Sequence, residues 1–215
     1  MAKWESLLLD PSSVTALPSL HVVKFAEQFK NTRRIRILDI GCGRGRHSIY
    51  LAKQPGFEVF ALDSASVALE ITKEEARKNE VDIKIFKANA TFLPFQDCFF
   101  DAVIAINVIN HGTIDDVTES LAEMNRVLKN EGAFLSTLLS VKDFRFGLGE
   151  KINRYTFILR NDLEDGVVHT FFNEKMIKLC YNTFTIREIF EEKNVIRDGK
   201  TSYRWIINSV KHKSL

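Results

Sequence analysis

Residues 35–53 read IRILDIGCGRGRHSIYLAK, and this stretch decides the fold of the chain. Its first residues are mostly apolar, which is typical of a strand buried inside a parallel sheet. Glycines alternate with other residues at 41–45, and a helical spacing starts directly after them and ends before Gly56. A strand, a glycine turn and a helix in this order are typical of the first unit of a nucleotide-binding α/β sheet. Because glycine has no Cβ atom, the turn lets a ligand lie against the backbone itself.

Length and composition favour a single domain. The chain has 215 residues, of which 45% are hydrophobic, and this is enough for one well-buried core. The 30 basic residues nearly balance the 28 acidic ones, which gives a net charge of +2. So small a charge argues against nucleic acid or a membrane surface as a partner. We therefore expect a single domain over residues 1–215 that acts on a small molecule, in an oligomeric state that the sequence leaves open.

The cysteines and the N-terminus bear on location. Cys42, Cys98 and Cys180 are an odd number at scattered positions, without a CxxC or Cys/His pattern. The sequence therefore predicts neither a disulfide framework nor a metal site. No apolar run is long enough to span a bilayer, and residues 1–13 make a poor secretory signal because an acidic residue interrupts them. We expect a cytoplasmic protein in a reducing environment.

Strand and helix patterns alternate after the glycine unit. The period of the apolar residues predicts strands at 57–62, 82–87, 100–107 and 133–139, and helices at 64–79 and 117–128. Ser64 is the candidate N-cap of the helix at 64–79. A helix at 173–181 would be followed along the chain by two further strands, at 184–190 and 203–210, which would form an antiparallel pair. Strands and helices that alternate at this interval predict right-handed crossovers and a parallel sheet covered on both faces.

Two segments do not follow this alternation. Residues 1–32 precede the first strand, and the apolar residues from Val22 to Phe29 keep a helical spacing. We interpret this segment as an N-terminal helical cap on the sheet, with a lid over the ligand site as the alternative. Residues 141–172 contain aromatic side chains without clear periodicity, which is typical of an insertion or a lid. These aromatic residues either wall a ligand pocket or pack on the sheet.

The acidic residue before the glycines discriminates among nucleotide ligands. Asp39 lies two residues before Gly41, and the glycine spacing is G-x-G-x-G, whereas dinucleotide sites have G-x-G-x-x-G. A carboxylate at this place would repel a pyrophosphate bound at the helix N-terminus. S-adenosylmethionine suits the site because it carries a sulfonium and an ammonium group and no phosphate. We therefore predict S-adenosylmethionine as the cofactor.

A series of landmarks resembles one family. They are D-I-G-C-G-R-G at 39–45, Asp63 at the end of the second predicted strand, N-A-T-F-L-P-F at 89–95 and F-F-D-A-V at 99–103. Together they resemble the class I S-adenosylmethionine-dependent methyltransferases over residues 35–139, roughly half of the chain. The continuation G-R-H-S is similar to the small-molecule, type 11/25-like branch of this family. H-T-F-F at 169–172, with Trp205, is similar to its tellurite-resistance-like members.

The resemblance implies a fold and a reaction. The fold would be a Rossmann-like, doubly wound, seven-stranded α/β sheet, mostly parallel, with an antiparallel strand from the C-terminal hairpin. The reaction would transfer a methyl group to a small-molecule acceptor by in-line displacement, for which the protein supplies alignment and a dry pocket. Two other functions stay open. One is a cofactor-binding regulatory or scaffold protein without turnover, and the other is a nicotinamide-dependent oxidoreductase.

The resemblance also implies roles for individual residues. Asp39 would bind the methionine end of the cofactor, Asp63 both ribose hydroxyls, and Asn89, in place of the usual Asp, the adenine amine. The glycine backbone would face the methionine and the ribose, and a carbonyl at 106–107 would take the ammonium group. The predicted cofactor-binding residues are Asp39, Gly41, Cys42, Gly43, Gly45, His47, Asp63, Ser64, Asn89, Ala90, Ile106 and Asn107.

A proton acceptor is required only if the methyl acceptor must lose a proton. The candidates are His47, His111, His169 and Tyr155. The sequence favours His111, which follows the fourth strand at the edge where substrates bind in such sheets. Tyr155 is the second catalytic prediction. We interpret His169 as a loop histidine, and Arg44 and Arg46 as solvated side chains.

Overall fold

The computed structural model describes residues 17–160, 165–196 and 199–213 of the chain. The helices are α1 (Leu20–Glu27), α2 (Arg46–Ala52), α3 (Ser66–Lys78), α4 (Ile114–Val127) and α5 (Glu174–Cys180). The strands are β1 (Ile35–Ile40), β2 (Phe57–Asp63), β3 (Ile83–Lys87), β4 (Phe100–Ala105), β5 (Leu128–Leu139), β6 (Glu150–Lys151), β7 (Thr156–Ile158), β8 (Val168–Thr170), β9 (Phe184–Val195) and β10 (Thr201–Lys211). None of these helices is long and apolar enough to cross a membrane. Of the predicted N-terminal cap, residues 1–16 lie outside the described ranges, and the remainder contains α1.

The main sheet has seven strands in the order β3-β2-β1-β4-β5-β10-β9. All neighbouring pairs from β3 to β5 are parallel, and β10 runs antiparallel to both β5 and β9. The strand order reverses between β1 and β4, as in other doubly wound sheets. This confirms the predicted Rossmann-like sheet, including the antiparallel strand from the C-terminal hairpin.

The strand register brings the segments after three strands to one edge of the sheet. Ile40 at the end of β1 pairs with Leu62 of β2 and with Ala105 of β4. Because these strands are parallel, the segments that follow them begin side by side. A ligand above the carboxyl ends of the strands therefore meets all of these segments at the topological switch point.

Hydrophobic packing covers both faces of the sheet. Side chains alternate along β1, so Ile37 belongs to a cluster with Val22 and Phe25 of α1, while Leu38 belongs to a cluster with Met124 of α4. All of these side chains are buried. Burying one of them contributes about 1.5–3 kcal/mol, so the loops at the carboxyl edge rest on a firmly packed support.

The chain between β5 and α5 forms a small sheet of its own. β7 pairs antiparallel with both β6 and β8. Phe146, Phe157 and Phe171 pack on one another and on Leu139 at the end of β5. These aromatic residues of the predicted insertion therefore form a satellite core. The sequence pattern did not reveal the strands because the longest of them has 3 residues, which is too short for a period to show.

The start of α3 differs from the prediction. The helix begins at Ser66 with Ala65 as N-cap, and no side chain makes a capping hydrogen bond. The prediction of Ser64 as N-cap is wrong, because Asp63 Oδ1 accepts the amide of Ala65 at 2.9 Å and shapes the turn before the helix. Asp63 therefore has a role in the local fold as well as a predicted role in binding.

Candidate functional site

A cavity of about 740 Å³ lies at the carboxyl edge of β1, β2 and β4. Predicted site residues in its lining are Gly41, Cys42, Gly43, His47, Asp63, Ser64, Asn89, Ala90, Ile106, Asn107 and His111. Asp39, Gly45 and Tyr155 are not part of the lining. The structure thus brings most of the predicted cofactor-binding residues together in one place.

Asp63 connects the glycine turn to the end of β2. Its Oδ2 accepts the amide of Gly43 at 3.0 Å, and its Oδ1 accepts the amide of Ala65 at 2.9 Å. Each carboxylate oxygen has a second lone pair, so both can still accept a hydrogen bond from a ligand. A carboxylate held in one orientation, with an acceptor site on each oxygen, suits the two neighbouring hydroxyls of a ribose.

Close packing shapes the glycine turn. Gly41 has φ +65°, and a Cβ atom on it would lie 2.3 Å from Val108 Cγ2. Gly45 has φ +78°, and a Cβ atom on it would lie 2.9 Å from Thr72 Cγ2. Thr72 Oγ1 also donates to Gly43 O at 2.9 Å. Residues other than glycine rarely adopt such φ angles. Gly45 does not line the cavity, and its lack of a side chain lets Thr72 of α3 pack on the turn.

Asp39 lies beneath α2 and not in the cavity lining. It is 1% exposed, and its Oδ2 accepts the hydroxyl of Ser48 at 2.6 Å. Burial raises the pKa of Asp39 to about 7, although the Ser48 hydrogen bond and the charge of Arg46 lower it. Strand alternation explains the position, because Asp39 points to the same face of the sheet as Ile37. The predicted contact of Asp39 with the cofactor therefore stays a prediction, and in the structure the Asp39 carboxylate bonds to Ser48 of α2.

His47 brings a nitrogen without a partner to the cavity. The side chain is 5% exposed, and its Nε2 has no hydrogen-bond partner among the described residues. Burial, together with the charge of Arg46, lowers the pKa of His47 to about 3, so the ring is neutral at physiological pH. A buried polar atom without a partner costs about 1–3 kcal/mol. A ligand that bonds to Nε2 would remove this cost.

The loop after β3 forms another wall of the cavity. Asn89 Oδ1 accepts the amide of Thr91 at 3.4 Å and closes a local turn. Arg126 of α4 holds the chain that follows, donating to the carbonyls of Leu93 and Phe95 at 3.0 and 2.7 Å. The wall that contains Asn89 is therefore tied to a helix of the main core.

β4 is followed by a tight turn at Asn107. This residue has φ +61°, which asparagine tolerates better than most residues. Its amide donates to Thr137 Oγ1 at 2.8 Å, and the same hydroxyl donates to Asn107 Oδ1 at 3.1 Å. Since Thr137 lies on β5, the neighbouring strand fixes the turn that lines the cavity.

The two catalytic predictions fall in different places. His111 lines the cavity, and its ring lies edge-to-face against His169 with the centroids 4.7 Å apart. His169 is fully buried on β8, so its interpretation as a loop histidine is wrong. Tyr155 Oη accepts the side-chain amide of Asn173, the N-cap of α5, at 3.5 Å. The structure does not support Tyr155 as catalytic, because the small sheet directs it towards α5.

A second cavity, of about 590 Å³, adjoins the first. Arg46, Ile106, Asn107 and Arg204 line both cavities and form what we call the shared wall. The remaining lining residues of the second cavity are Leu17, Pro18, Ser19, His21, Thr137, Glu192, Asn194 and Ile206. Adjoining cavities with a common wall suit a reaction between two bound molecules.

Several residues of these cavities have no local sequence signal. Arg204 reaches the site because β10 pairs antiparallel with β5, where it lies opposite Leu139. His21 and Glu192 meet only when α1 packs beside the hairpin. The interpretation of Arg46 as a solvated side chain is wrong, since it is half-buried and lines both cavities. Its place in the first turn of α2, directly before His47, was a signal that could have shown this.

Sequence relatives match the core of the chain. The family model of the methyltransferase domain matches residues 37–132. The ubiquinone biosynthesis O-methyltransferase of Rickettsia typhi is 30% identical over 129 residues, which is 59% of this chain and 51% of that protein. The chain spans about half the length of the curated relatives that it matches.

Solved structures share the fold over most of the chain. A S-adenosylmethionine-dependent methyltransferase of Methanosarcina mazei has a TM-score of 0.73 at 22% identity, over 87% of this chain and 97% of that one. TehB of Haemophilus influenzae has a TM-score of 0.68 at 17% identity, over 90% of this chain and 62% of that one. The cyclase SpnF has a TM-score of 0.67 at 16% identity, over 90% of this chain and 80% of that one. At these identities the likeness shows the fold.

Residues 37–132 match the methyltransferase-domain family model, and the fold of the chain is that of the class I S-adenosylmethionine-dependent methyltransferases. The cofactor of the class is S-adenosylmethionine, and the residues present fit it. Asp63 offers acceptors for a ribose. His47 offers a buried nitrogen that has no partner among the described residues, and Gly41 and Gly43 line the cavity. These findings favour the methyltransferase prediction over a nicotinamide-dependent oxidoreductase.

Proposed function

We propose that this protein transfers a methyl group from S-adenosylmethionine to a small molecule by in-line displacement. The observation that carries the proposal is the pair of adjoining cavities with the shared wall. In-line displacement requires the attacking atom and the leaving sulfur on opposite sides of the methyl carbon. A donor in the first cavity and an acceptor in the second would meet this requirement at the wall. The bound cofactor would supply a methyl group already activated as a sulfonium.

We assign the predicted roles to the first cavity as follows. Asp63 binds the ribose hydroxyls, and the neutral ring of His47 donates from Nε2 to the methionine carboxylate. Asn89 and Ala90 bind the adenine, and a backbone carbonyl at 106–107 takes the ammonium group. We place His111 on the cofactor side, because it lines the first cavity and not the second.

The second cavity supports a small acceptor. Its volume of about 590 Å³ falls within the range of roughly 300–1,000 Å³ that is usual for small-molecule sites. The net charge of +2 provides no broad basic surface for a nucleic acid. A cytoplasmic location is part of the proposal, and the free thiols of Cys42, Cys98 and Cys180 support it.

A labelled methyl donor tests the proposal. The protein is incubated with S-adenosylmethionine carrying a deuterated methyl group and with a cell extract separated into small-molecule, RNA and protein fractions. We expect label in a small-molecule product, together with an equal amount of S-adenosylhomocysteine. Label that enters RNA or protein instead would contradict the small acceptor.

A second candidate function is cofactor binding without methyl transfer. The specific observation in its favour is the cyclase SpnF, which shares the fold, because a fold alone does not fix a reaction. Tight binding of S-adenosylhomocysteine with no labelled product in any fraction would favour this candidate.

A further inference from the structure

A histidine and a carboxylate lie in contact in the second cavity. His21 Nε2 is 2.9 Å from Glu192 Oε1, and both residues line the cavity. His21 belongs to α1 and Glu192 to β9, so only the folded chain creates the pair. Their side chains are 19% and 36% exposed, which leaves them accessible to a bound molecule while much of each is shielded from water.

The hydrogen bond decides which nitrogen of His21 can take a proton. A carboxylate only accepts hydrogen bonds, so Nε2 carries the hydrogen. Burial opposes the ionisation of Glu192, but hydrogen bonds from Asn194 and His21 outweigh it and hold the pKa of Glu192 below its usual value. The side-chain hydrogen bond of His21 within the described ranges is made by Nε2. Nδ1 is therefore the nitrogen with a lone pair for a proton.

Neighbouring groups hold the ring of His21 in place. The ring of Phe190 packs edge-to-face against it with the centroids 5.7 Å apart. The backbone amide of His21 donates to the Oγ of Ser19, the N-cap of α1, at 3.3 Å. The packing of Phe190 and the bond to Glu192 together hold the imidazole in one orientation, as a group that acts on a bound molecule requires.

We propose that His21 is the general base of the transfer, that Glu192 is its positioning residue, and that the acceptor is a hydroxyl or thiol compound bound in the second cavity. This inference rests on the proposed methyl transfer. His21 Nδ1 takes the acceptor's proton while the acceptor's oxygen or sulfur bonds to the methyl carbon. The electron pair of the broken carbon–sulfur bond stays on the cofactor's sulfur, which becomes a neutral thioether. The imidazolium of His21 lies beside Glu192 and then releases its proton to water.

The charges around the second cavity fit this chemistry. Its charged lining residues besides Glu192 are Arg46 and Arg204, both on the shared wall. Positive charge at this place favours an oxygen or sulfur that is losing its proton. His111 lines the first cavity and packs on the ring of His169. Of these cavity histidines, His21 is the one that a carboxylate orients. Enzymes activate nucleophiles with a base that a third group orients in this way.

Matched variants test this pair in the assay with the deuterated methyl donor and the small-molecule extract. His21→Phe keeps an aromatic ring against Phe190 and removes the base, so the transfer rate should fall about 100-fold or more. Glu192→Gln keeps an acceptor for Nε2 but removes the charge, and the rate should fall by a smaller factor. Titrated S-adenosylhomocysteine should bind both variants with unchanged affinity. His212→Gln, which changes an exposed histidine, should leave the rate unchanged.

The pH profile separates a base from a structural residue. In the wild type the transfer rate should decrease on the acid side as His21 takes a proton, and His21→Phe should lose this decrease. If His21→Phe transferred the methyl group at the full rate, or kept the decrease of the rate at low pH, the inference about His21 would be overturned and the proposed function would stand. A wild type that transfers no label would overturn the proposed function and this inference with it. If a melting curve shows that His21→Phe is unfolded, His21→Asn replaces it.

Discussion

Asp63 serves both the fold and the predicted cofactor site. Its carboxylate accepts the amides of Gly43 and Ala65, so an alanine at this position would disturb the turn and the site together. Asp63→Asn is the sharper variant, because it keeps the shape and one acceptor oxygen. The affinity for S-adenosylhomocysteine should fall about 10–100-fold, since a hydrogen bond to a charged group is worth about 1.5–3 kcal/mol. Calorimetric titration measures this fall, and a melting curve checks the fold. Unchanged affinity would mean that Asp63 does not bind the ribose.

Asp39 should make the stability of the ligand-free protein depend on pH. Folding raises the pKa of Asp39 from 3.8 to about 7, so the folded state prefers the protonated acid. Its contribution to stability is complete below the unfolded pKa of 3.8 and is lost as the pH rises through about 7. Asp39→Asn should therefore gain stability relative to the wild type between about pH 4 and pH 8, by at most about 4 kcal/mol.

Urea unfolding of both proteins at several pH values measures the gain from Asp39→Asn. The lowered pKa of His47 acts in the opposite direction, because its contribution is present above 6.5 and is lost as the pH falls towards about 3. His47 is common to both proteins, so the difference in unfolding free energy between them isolates Asp39. A difference that stays constant across this pH range would show that Asp39 ionises without cost in the folded protein.

A site residue could be predicted from the sequence where a local motif marks it. Gly41, Gly43 and Asp63 each follow the end of a predicted strand, so topology alone places them at one edge. His21 carries no such mark, because its partner Glu192 comes from the other end of the chain. Tyr155 was predicted from its residue type in an irregular segment, and the small sheet that orients it had no readable period.

At the scale of elements, a glycine of the glycine turn can be compared with a glycine of the C-terminal hairpin, because the two have similar positive φ angles. Gly41 has φ +65° and Gly199 has φ +70°. A Cβ atom on Gly41 would lie 2.3 Å from Val108, whereas a Cβ atom on Gly199 would meet no atom of the described residues within 4 Å. Gly199→Ala should cost about 1–2 kcal/mol of stability from the backbone angle alone. Gly41→Ala should cost about 1–3 kcal/mol more, because the clash adds to it.

Urea unfolding compares the two glycine variants, and S-adenosylhomocysteine binding should weaken only in Gly41→Ala. Equal losses of stability would contradict the close packing of the turn on Val108. The double variant Gly41→Ala/Val108→Ala checks the cause, since it removes the two closest atoms, Cγ1 and Cγ2 of Val108, and keeps the strained φ angle.

Long elements were predictable from the sequence and short ones were not. β1, β2 and β4 are apolar runs, and α4 keeps one apolar face with buried residues from Val117 to Val127. β6 has 2 residues and β8 has 3, so tertiary packing and not a sequence pattern makes them strands. The exact start of α3 was also not predicted, although its cause is local: the side-chain carboxylate of Asp63 accepts the backbone amide of Ala65.

At the scale of the whole molecule, the topology assembles the two cavities from distant parts of the chain. The first cavity uses the loops after the first four strands, which the alternation of strands and helices predicts. The second cavity needs α1, β5 and the hairpin of β9 and β10 in one place, and no local pattern encodes this. The sequence therefore predicts the cofactor more readily than the acceptor.

A crystal structure of the complex with S-adenosylhomocysteine tests the central claim most directly. We expect the ribose hydroxyls on the carboxylate of Asp63 and the adenine beside Asn89 and Ala90. The sulfur should lie at the shared wall of Arg46, Ile106, Asn107 and Arg204, facing the second cavity. A ribose bound away from Asp63, or a sulfur that faces away from the second cavity, would contradict the account.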